Sequence, residues 1–209
     1  LWKDVSAQDW NDTNWQLQHS IRTVEQLKEV IKLSDYQADE IQRTLDALKS
    51  EGKEALRITP YYASLMQEDP FHPIMLAGEK SYKRLDPIFW QSVPTPANLL
   101  FPDTGVEGAM GESSRSFGAA YQRYPNRVAL FVAQNTSCAS YCVHCQRAKS
   151  LDETVDVNLT EINKGLFYIA QNKNINEVLV TGGDALRISK NRLQYILEEL
   201  SKVSHLRVI

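Results

Sequence analysis

The three cysteines of this chain, Cys138, Cys142 and Cys145, all lie in the stretch NTSCASYCVHCQRAK, within eight positions. Cysteines that fill a core or form disulfides would be scattered along the chain, so a tight group of three indicates metal ligands. Thiolates are soft ligands that select zinc, copper(I) or iron–sulfur clusters. The spacing therefore predicts a metal site, and the open questions are which metal it holds and what occupies the fourth ligand position.

Two kinds of metal site fit these cysteines. A structural zinc ion needs four ligands in a closed tetrahedron, and the fourth would be His144, which lies between Cys142 and Cys145 in a loop that is sterically tight for four ligands. A [4Fe–4S] cluster needs a ligand at each iron, so three cysteines leave one iron open to another molecule. We therefore favour the cluster, with zinc as the alternative and His144 as a packing neighbour.

A second candidate site is the glycine turn in LVTGGDAL, residues 179–186. Gly182 and Gly183 allow the backbone to approach a ligand closely because they carry no Cβ, and Asp184 adds a carboxylate. Turn glycines are common, and an aspartate at such a position often only caps the helix that follows. The turn is a stronger candidate for a ligand contact because it comes after a cysteine loop in the same chain.

Apolar strands and helices alternate in the second half of the chain. Strand patterns cover residues 127–134, 177–183 and 206–209, and helical patterns cover 160–172 and 189–202. This alternation predicts an α/β fold with a parallel sheet, either open or closing into a β/α barrel. Ligands bind at the carboxyl ends of the strands in both architectures. The cysteine loop follows the first strand and the glycine turn follows the second, so both are expected at one edge of the sheet.

The first part of the chain is expected to be helical. Two helical patterns lie within residues 22–50, and the pairs Thr23/Gln26 and Ser34/Gln37 have the spacing of capping boxes. A capping box satisfies backbone N–H groups that a helix start leaves without partners. These pairs therefore predict where two helices begin.

We expect three segments along the chain: an N-terminal helical region over 1–66, an irregular connector rich in Pro and Gly over 67–122, and the first strands and helices of the sheet domain over 123–209. The chain begins at Leu1 and stops inside an apolar run. An unpaired strand edge of that kind invites aggregation, so we expect a fragment of a longer protein.

Composition excludes several classes of function. The chain has 23 Lys and Arg against 26 Asp and Glu, a net charge of −3, whereas binding to nucleic acid depends on clustered positive charge. No apolar run approaches the length that crosses a bilayer. Three clustered cysteines without even pairing fit a reducing compartment. We therefore expect a cytoplasmic protein that binds neither nucleic acid nor membrane.

The cysteine spacing Cys-x3-Cys-x2-Cys resembles that of the radical S-adenosylmethionine superfamily. The stretches DTNWQLQHSIRTVEQL, ITPYYASLM, RYPNRVALFV, CASYCVHCQR and EVLVTGGDAL resemble, in order and over nearly the whole chain, the landmarks of the lysine 2,3-aminomutase family. That family has a partial β/α barrel. Its members use a [4Fe–4S] cluster whose open iron chelates S-adenosylmethionine, which yields a 5′-deoxyadenosyl radical, together with pyridoxal 5′-phosphate.

The resemblance implies an isomerase, an amino-acid 2,3-aminomutase that moves an α-amino group to the β-carbon, with a lysine-like substrate expected. It further implies a homo-oligomer and an electron donor such as flavodoxin or ferredoxin. A radical S-adenosylmethionine enzyme of another reaction type and a zinc-binding structural module are the alternatives.

The resemblance also implies roles for individual residues. Cys138, Cys142 and Cys145 would hold the cluster, and the turn Gly182–Asp184 would contact S-adenosylmethionine. Arg147 would bind the substrate carboxylate, because a planar guanidinium matches a carboxylate with two hydrogen bonds.

Two further arginines, Arg123 and Arg127, would reach the phosphate of pyridoxal phosphate, with surface ion pairs as their alternative role. In the family, the lysine that binds pyridoxal and the acids that select the substrate side chain follow the third strand. We therefore assign no catalytic residue here, and we expect that these 209 residues alone do not complete catalysis.

Overall fold

The computed structural model describes residues 1–71, 74–75, 83–84, 86–97, 116–133, 138–140, 142–143 and 157–209. The chain divides into two compact units. The first unit comprises Leu1–Thr104 with Ala139–Ala148, and the second unit comprises Gly105–Cys138 with Lys149–Ile209. The division of the chain into three segments stays a prediction.

The described part of the first unit is mainly helical. Its helices are α1 (Ala7–Trp10), α2 (Thr13–Gln18), α3 (Val24–Lys28), α4 (Asp35–Ser50), α5 (Pro60–Ala63) and α6 (Pro87–Ser92). A short antiparallel pair joins β1 (Ile74–Met75) to β2 (Lys83–Arg84). None of the described helices in the chain has the length and apolar character that a membrane span requires.

Both predicted capping boxes are present. The Thr23 hydroxyl accepts a hydrogen bond from Gln26 N–H, and the Gln26 side chain accepts one from Thr23 N–H. Ser34 and Gln37 make the same reciprocal pair at the start of α4. The prediction that two helices begin at these positions is confirmed, because the capping signal is local and needs no tertiary partner.

The core of the first unit is formed by buried apolar side chains. Ile21 and Ile58 exchange two backbone hydrogen bonds, of 2.8 and 3.2 Å, and both are fully buried. Leu27 of α3 and Phe89 of α6 are fully buried in the same cluster. Helix α6 is therefore part of this core, although it lies within the segment expected to be an irregular connector.

The second unit is a sheet covered by helices. Its strands are β3 (Ser116–Phe117), β4 (Ala120–Tyr124), β5 (Arg127–Phe131) and β6 (Glu177–Thr181). Its helices are α7 (Leu159–Gln171) and α8 (Lys190–Ser201), with a 3₁₀ turn over Ala185–Arg187. The side chains of Asn158 and Ser189 cap α7 and α8.

The order in this sheet is β3-β4-β5-β6, and only the β5–β6 pair is parallel. The predicted α/β class and the parallel pairing of these two strands are confirmed. The antiparallel strands β3 and β4 make the sheet mixed, which the sequence analysis did not predict. The run predicted as a third strand is represented by a single parallel bridge between Val208 and Glu177.

One face of the sheet packs against the helices. Val128, Leu130 and Val178 are buried on this face, against Ile162 of α7 and Ile196 of α8. The burial of β5 alternates along the strand, which is the pattern of a sheet with one covered face. On β6, Leu179 points to the opposite face and is 64% exposed.

Gly118, in the turn between β3 and β4, provides a test of the packing of α7. Its φ is +58°, and a Cβ there would lie 2.5 Å from Glu161 O and 2.6 Å from Lys164 Cβ. Gly52 has a similar φ of +79° with no atom within 4 Å of its Cβ position, so it is a matched control. Both glycines have a positive φ, but an added Cβ would meet neighbouring atoms only at Gly118.

We expect Gly52→Ala to lower the free energy of unfolding by about 1 kcal/mol, the cost of a left-handed backbone for an L-residue. Gly118→Ala should cost about 1–3 kcal/mol more, because the added methyl overpacks the contact with α7. Urea unfolding followed by circular dichroism measures both. Equal losses in the two variants would contradict the close approach of α7 to the β3–β4 turn.

Candidate functional site

The predicted glycine turn lies at the carboxyl edge of the parallel strand pair. The last pair in the register of β5 and β6 is Phe131 with Thr181, and Val132 N–H then donates to Thr181 O at 2.8 Å. Gly182 follows directly. The turn thus lies where ligands bind in sheets that contain parallel strands, as the sequence predicted from strand order.

The backbone of Gly182 packs against the end of β5. Its φ is +110°, which L-residues rarely adopt, and a Cβ would lie 3.1 Å from Phe131 Cδ1 and 3.3 Å from Val132 N. Gly183 has a φ of +44°. Gly182 is buried whereas Gly183 is exposed. The first glycine therefore meets a packing requirement, and the second presents backbone at the surface.

Asp184 caps the 3₁₀ turn that follows the glycines. Its Oδ1 accepts a hydrogen bond from Leu186 N–H at 3.1 Å. Asp184 therefore has the capping role that is the alternative to ligand binding. A carboxylate has two oxygens and about four acceptor positions, so this cap leaves acceptor capacity, and capping and ligand binding are compatible at Asp184.

Two of the three cysteines are among the described residues. Cys138 and Cys142 carry reduced thiols, and each is partly buried. Cys145, His144 and Arg147 lie outside the described residues. Among the residues that are described, no group of three or more His, Cys, Asp or Glu side chains could hold a metal ion. With Cys145 outside this set, the three-cysteine site stays a prediction.

Val143, the residue after Cys142, is bound to helix α6, a contact that the sequence did not predict. Val143 N–H donates to Gln91 O at 2.8 Å, within the first unit. The start of α6 has a local signal, since Asp86 precedes a proline at the first helical position. No local signal exists for a contact between residues so far apart in sequence.

Of the three arginines with predicted binding roles, the two that are described, Arg123 and Arg127, lie away from the glycine turn. Arg127 is the first residue of β5, and its Nε lies 2.7 Å from Oε2 of Glu177, the first residue of β6. This pair is at the amino ends of the strands, about 13 Å along β5 from the turn at 3.3 Å per residue. Arg123 lies in β4, with its guanidinium carbon 5.1 Å from the centre of the Tyr124 ring.

The alternative role of Arg127, a surface ion pair, is thus present. It could be predicted only from the register of the two strands. Arg127 and Glu177 are direct partners across the parallel pair, and opposite charges at paired positions attract. The roles of Arg123 and Arg127 as phosphate ligands stay predictions.

Comparison with known proteins finds relatives along the whole chain. It is 33% identical over 211 aligned positions to L-lysine 2,3-aminomutase of Clostridium subterminale, covering 100% of this chain and 46% of that protein. It is 35% identical over 211 positions to L-lysine 2,3-aminomutase of Bacillus subtilis, with coverages of 100% and 40%.

A third relative is glutamate 2,3-aminomutase of Clostridioides difficile, 30% identical over 202 positions, with coverages of 96% and 43%. The chain spans about half the length of the curated relatives it matches. No family model matches it.

Substitution of Arg127 tests whether its ion pair with Glu177 stabilises the fold. The Arg127 and Glu177 side chains are 58% and 35% exposed, and exposed pairs contribute about 0–1 kcal/mol. We expect Arg127→Gln to change the free energy of unfolding by less than about 1 kcal/mol, as measured by urea denaturation. A larger loss would mean that the pair supports the strand register, and the variant would then be unsuited to testing phosphate binding.

Proposed function

Because this chain belongs to the lysine 2,3-aminomutase family over its whole length, we propose that it forms the cluster-binding part of a radical S-adenosylmethionine amino-acid 2,3-aminomutase. The observation that carries the proposal is the full-length similarity to proteins named L-lysine and glutamate 2,3-aminomutase. The parallel pair β5–β6, with the glycine turn at its carboxyl edge, supports it. These strands would be the first two parallel strands of a partial β/α barrel.

Cys138, Cys142 and Cys145 are the proposed ligands of a [4Fe–4S] cluster. The partly buried thiols of Cys138 and Cys142 fit this group, because thiolates are the ligands that such clusters prefer. Three of them leave one iron for S-adenosylmethionine. With that cofactor bound, the reduced cluster would supply the electron that cleaves S-adenosylmethionine into methionine and the 5′-deoxyadenosyl radical, which begins hydrogen abstraction from the substrate.

The turn Gly182–Asp184 is the proposed contact for the methionine part of S-adenosylmethionine. Gly183 presents exposed backbone, and Asp184 is half-buried with its carboxylate oriented by the bond from Leu186 N–H. A carboxylate in a fixed orientation is suited to accept hydrogen bonds from an ammonium group. The protein's part is thus to orient this cofactor at the edge of the sheet.

Pyridoxal 5′-phosphate is the second proposed cofactor, and it would carry the migrating amino group. Arg123 and Arg127 are proposed to reach its phosphate, and Arg147 to bind the substrate carboxylate. A lysine-like substrate is proposed because lysine is the amino acid in the names of most of the relatives, with glutamate as the alternative. A homo-oligomeric cytoplasmic enzyme, reduced by flavodoxin or ferredoxin, completes the proposal.

Anaerobic reconstitution with iron and sulfide tests the cluster. We expect the reduced protein to give the electron paramagnetic resonance signal of a [4Fe–4S] cluster, and the signal to change when S-adenosylmethionine is added. Cys142→Ser should lose the signal because a ligand is removed, whereas Ser140→Ala, in the same loop, should keep it. A colourless protein that carries zinc and ignores S-adenosylmethionine would instead identify the zinc module considered above.

Asp184→Asn tests the turn separately. Asn caps a helix as well as Asp does, so the variant should keep the bond from Leu186 N–H and lose only the charge. We expect S-adenosylmethionine to bind about tenfold more weakly, since hydrogen bonds to charged groups contribute about 1.5–3 kcal/mol. Titration of the resonance signal measures the affinity, with Glu198→Gln, an exposed acid in the second unit, as the charge-matched control. Unchanged affinity would leave Asp184 with the capping role alone.

A further inference from the structure

Helix α6 begins at a buried carboxylate that makes more bonds than a cap requires. Asp86 is 1% exposed, and its Oδ1 accepts hydrogen bonds from Ile88 N–H at 2.8 Å and Phe89 N–H at 3.3 Å. Its Oδ2 accepts a further bond from Gln67 N–H at 2.6 Å, on the segment that follows α5. Such bonds replace the hydration that a buried carboxylate loses. Asp86 therefore fixes the start of α6 to a second segment of the first unit.

The position of α6 depends on these contacts. The helix has six residues, which is too short to be stable through its own hydrogen bonds. Phe89 and Val93 are fully buried in the core of the first unit, and Ser92 Oγ donates to Ile88 O at 2.7 Å. We therefore expect a change at the start of so short a helix to alter the position of its last turn.

That last turn is bound to the residue that follows Cys142. Carbonyl groups in the last turn of a helix lack partners within the helix, and Gln91 O is used to accept the 2.8 Å bond from Val143 N–H. Val143 follows Cys142 directly, so this bond fixes the backbone beside one of the proposed cluster ligands. Gln91, Cys142 and Val143 all belong to the first unit.

We propose that Asp86 is a positioning residue for the cysteine loop. Its carboxylate fixes α6, and the Gln91 carbonyl of α6 fixes the backbone next to Cys142. The inference deepens the proposed function and rests on it for the cluster, but the contacts that run from Asp86 through α6 to Val143 do not involve the cluster. Outer groups that orient metal ligands typically change metal affinity by about 10–100-fold when they are altered.

The first test needs no metal. In Asp86→Asn the side-chain oxygen can still cap α6, but the amide nitrogen would face Gln67 N–H, donor against donor. We expect iodoacetamide to modify Cys142 several-fold faster in metal-free Asp86→Asn than in the unaltered protein. Cys138, which belongs to the second unit, should react at an unchanged rate. Mass spectrometry of the digested protein gives both rates from the same sample.

The matched control is Asp12→Asn. Asp12 is an exposed cap of α2 that accepts from Trp15 N–H at 2.7 Å, so this variant removes the same charge from the cap of a different helix. It should leave both cysteine rates unchanged. An unchanged Cys142 rate in Asp86→Asn, or an equal acceleration of Cys138, would overturn the inference. Asp86→Ser, which keeps a cap but is too short to reach Gln67, replaces the Asn variant if that variant does not fold.

The second test uses the reconstituted protein. If α6 and the loop are coupled, metal binding at the loop must stabilise α6 in return. We expect peptides covering 86–93 to exchange amide hydrogen more slowly once the cluster is bound, and peptides covering α2 to be unaffected. A loaded protein without this protection would contradict the inference. A protein that takes up no cluster would contradict the proposed function instead, and the alkylation rates would then decide the inference.

Discussion

The parallel register of β5 and β6 is the constraint on which the candidate site depends. Five consecutive pairs, from Arg127 with Glu177 to Phe131 with Thr181, align the two strands without a shift. Because the strands run the same way, the chain leaves both at one edge, and Val132 N–H bonds to Thr181 O there. A slip by one residue would turn every side chain of a strand to the other face, which would expose Val178 and move the glycine turn away from the end of β5. The buried face thus fixes the place of the turn.

The helices secure that register from the covered face. Ile162, Ile169 and Ile196 are fully buried against the sheet, and burial of side chains of this size contributes about 1.5–3 kcal/mol each. Ala119 N–H also donates to Glu161 O at 2.9 Å, which ties the β3–β4 turn to α7. The antiparallel strands β3 and β4 therefore also stabilise the β5–β6 register, because they extend the sheet under α7.

Elements with local signals were predictable, and contacts between distant residues were not. The capping pairs of α3 and α4 and the 3.6-residue periodicity of α7 and α8 act within a few residues, so their helices were predicted to within a few positions. Strand β3 was missed because it has only two residues, and β4 was missed because its sequence, AYQRY, lacks the continuous apolar run of β5. The ion pair of Arg127 depends on register, and the Val143–Gln91 bond depends on how the first unit folds. Residue type and spacing identified the cysteine group and the glycine turn as candidate sites. The resemblance supplied the cofactors and the arginine roles, which no propensity could have identified.

Asp184 has a role in the local fold that is compatible with its proposed role in binding. A short carboxylate side chain can accept from an N–H two residues ahead, as Asp184 does from Leu186, whereas glutamate is not among the preferred caps. The cap holds the carboxylate in one orientation before any ligand arrives. A group already ordered loses less conformational entropy on binding, so the same bond that begins the 3₁₀ turn would also favour an ammonium ligand at this edge. Aspartate thus suits the cap, as asparagine would, and it alone adds the charge expected for the proposed cofactor contact.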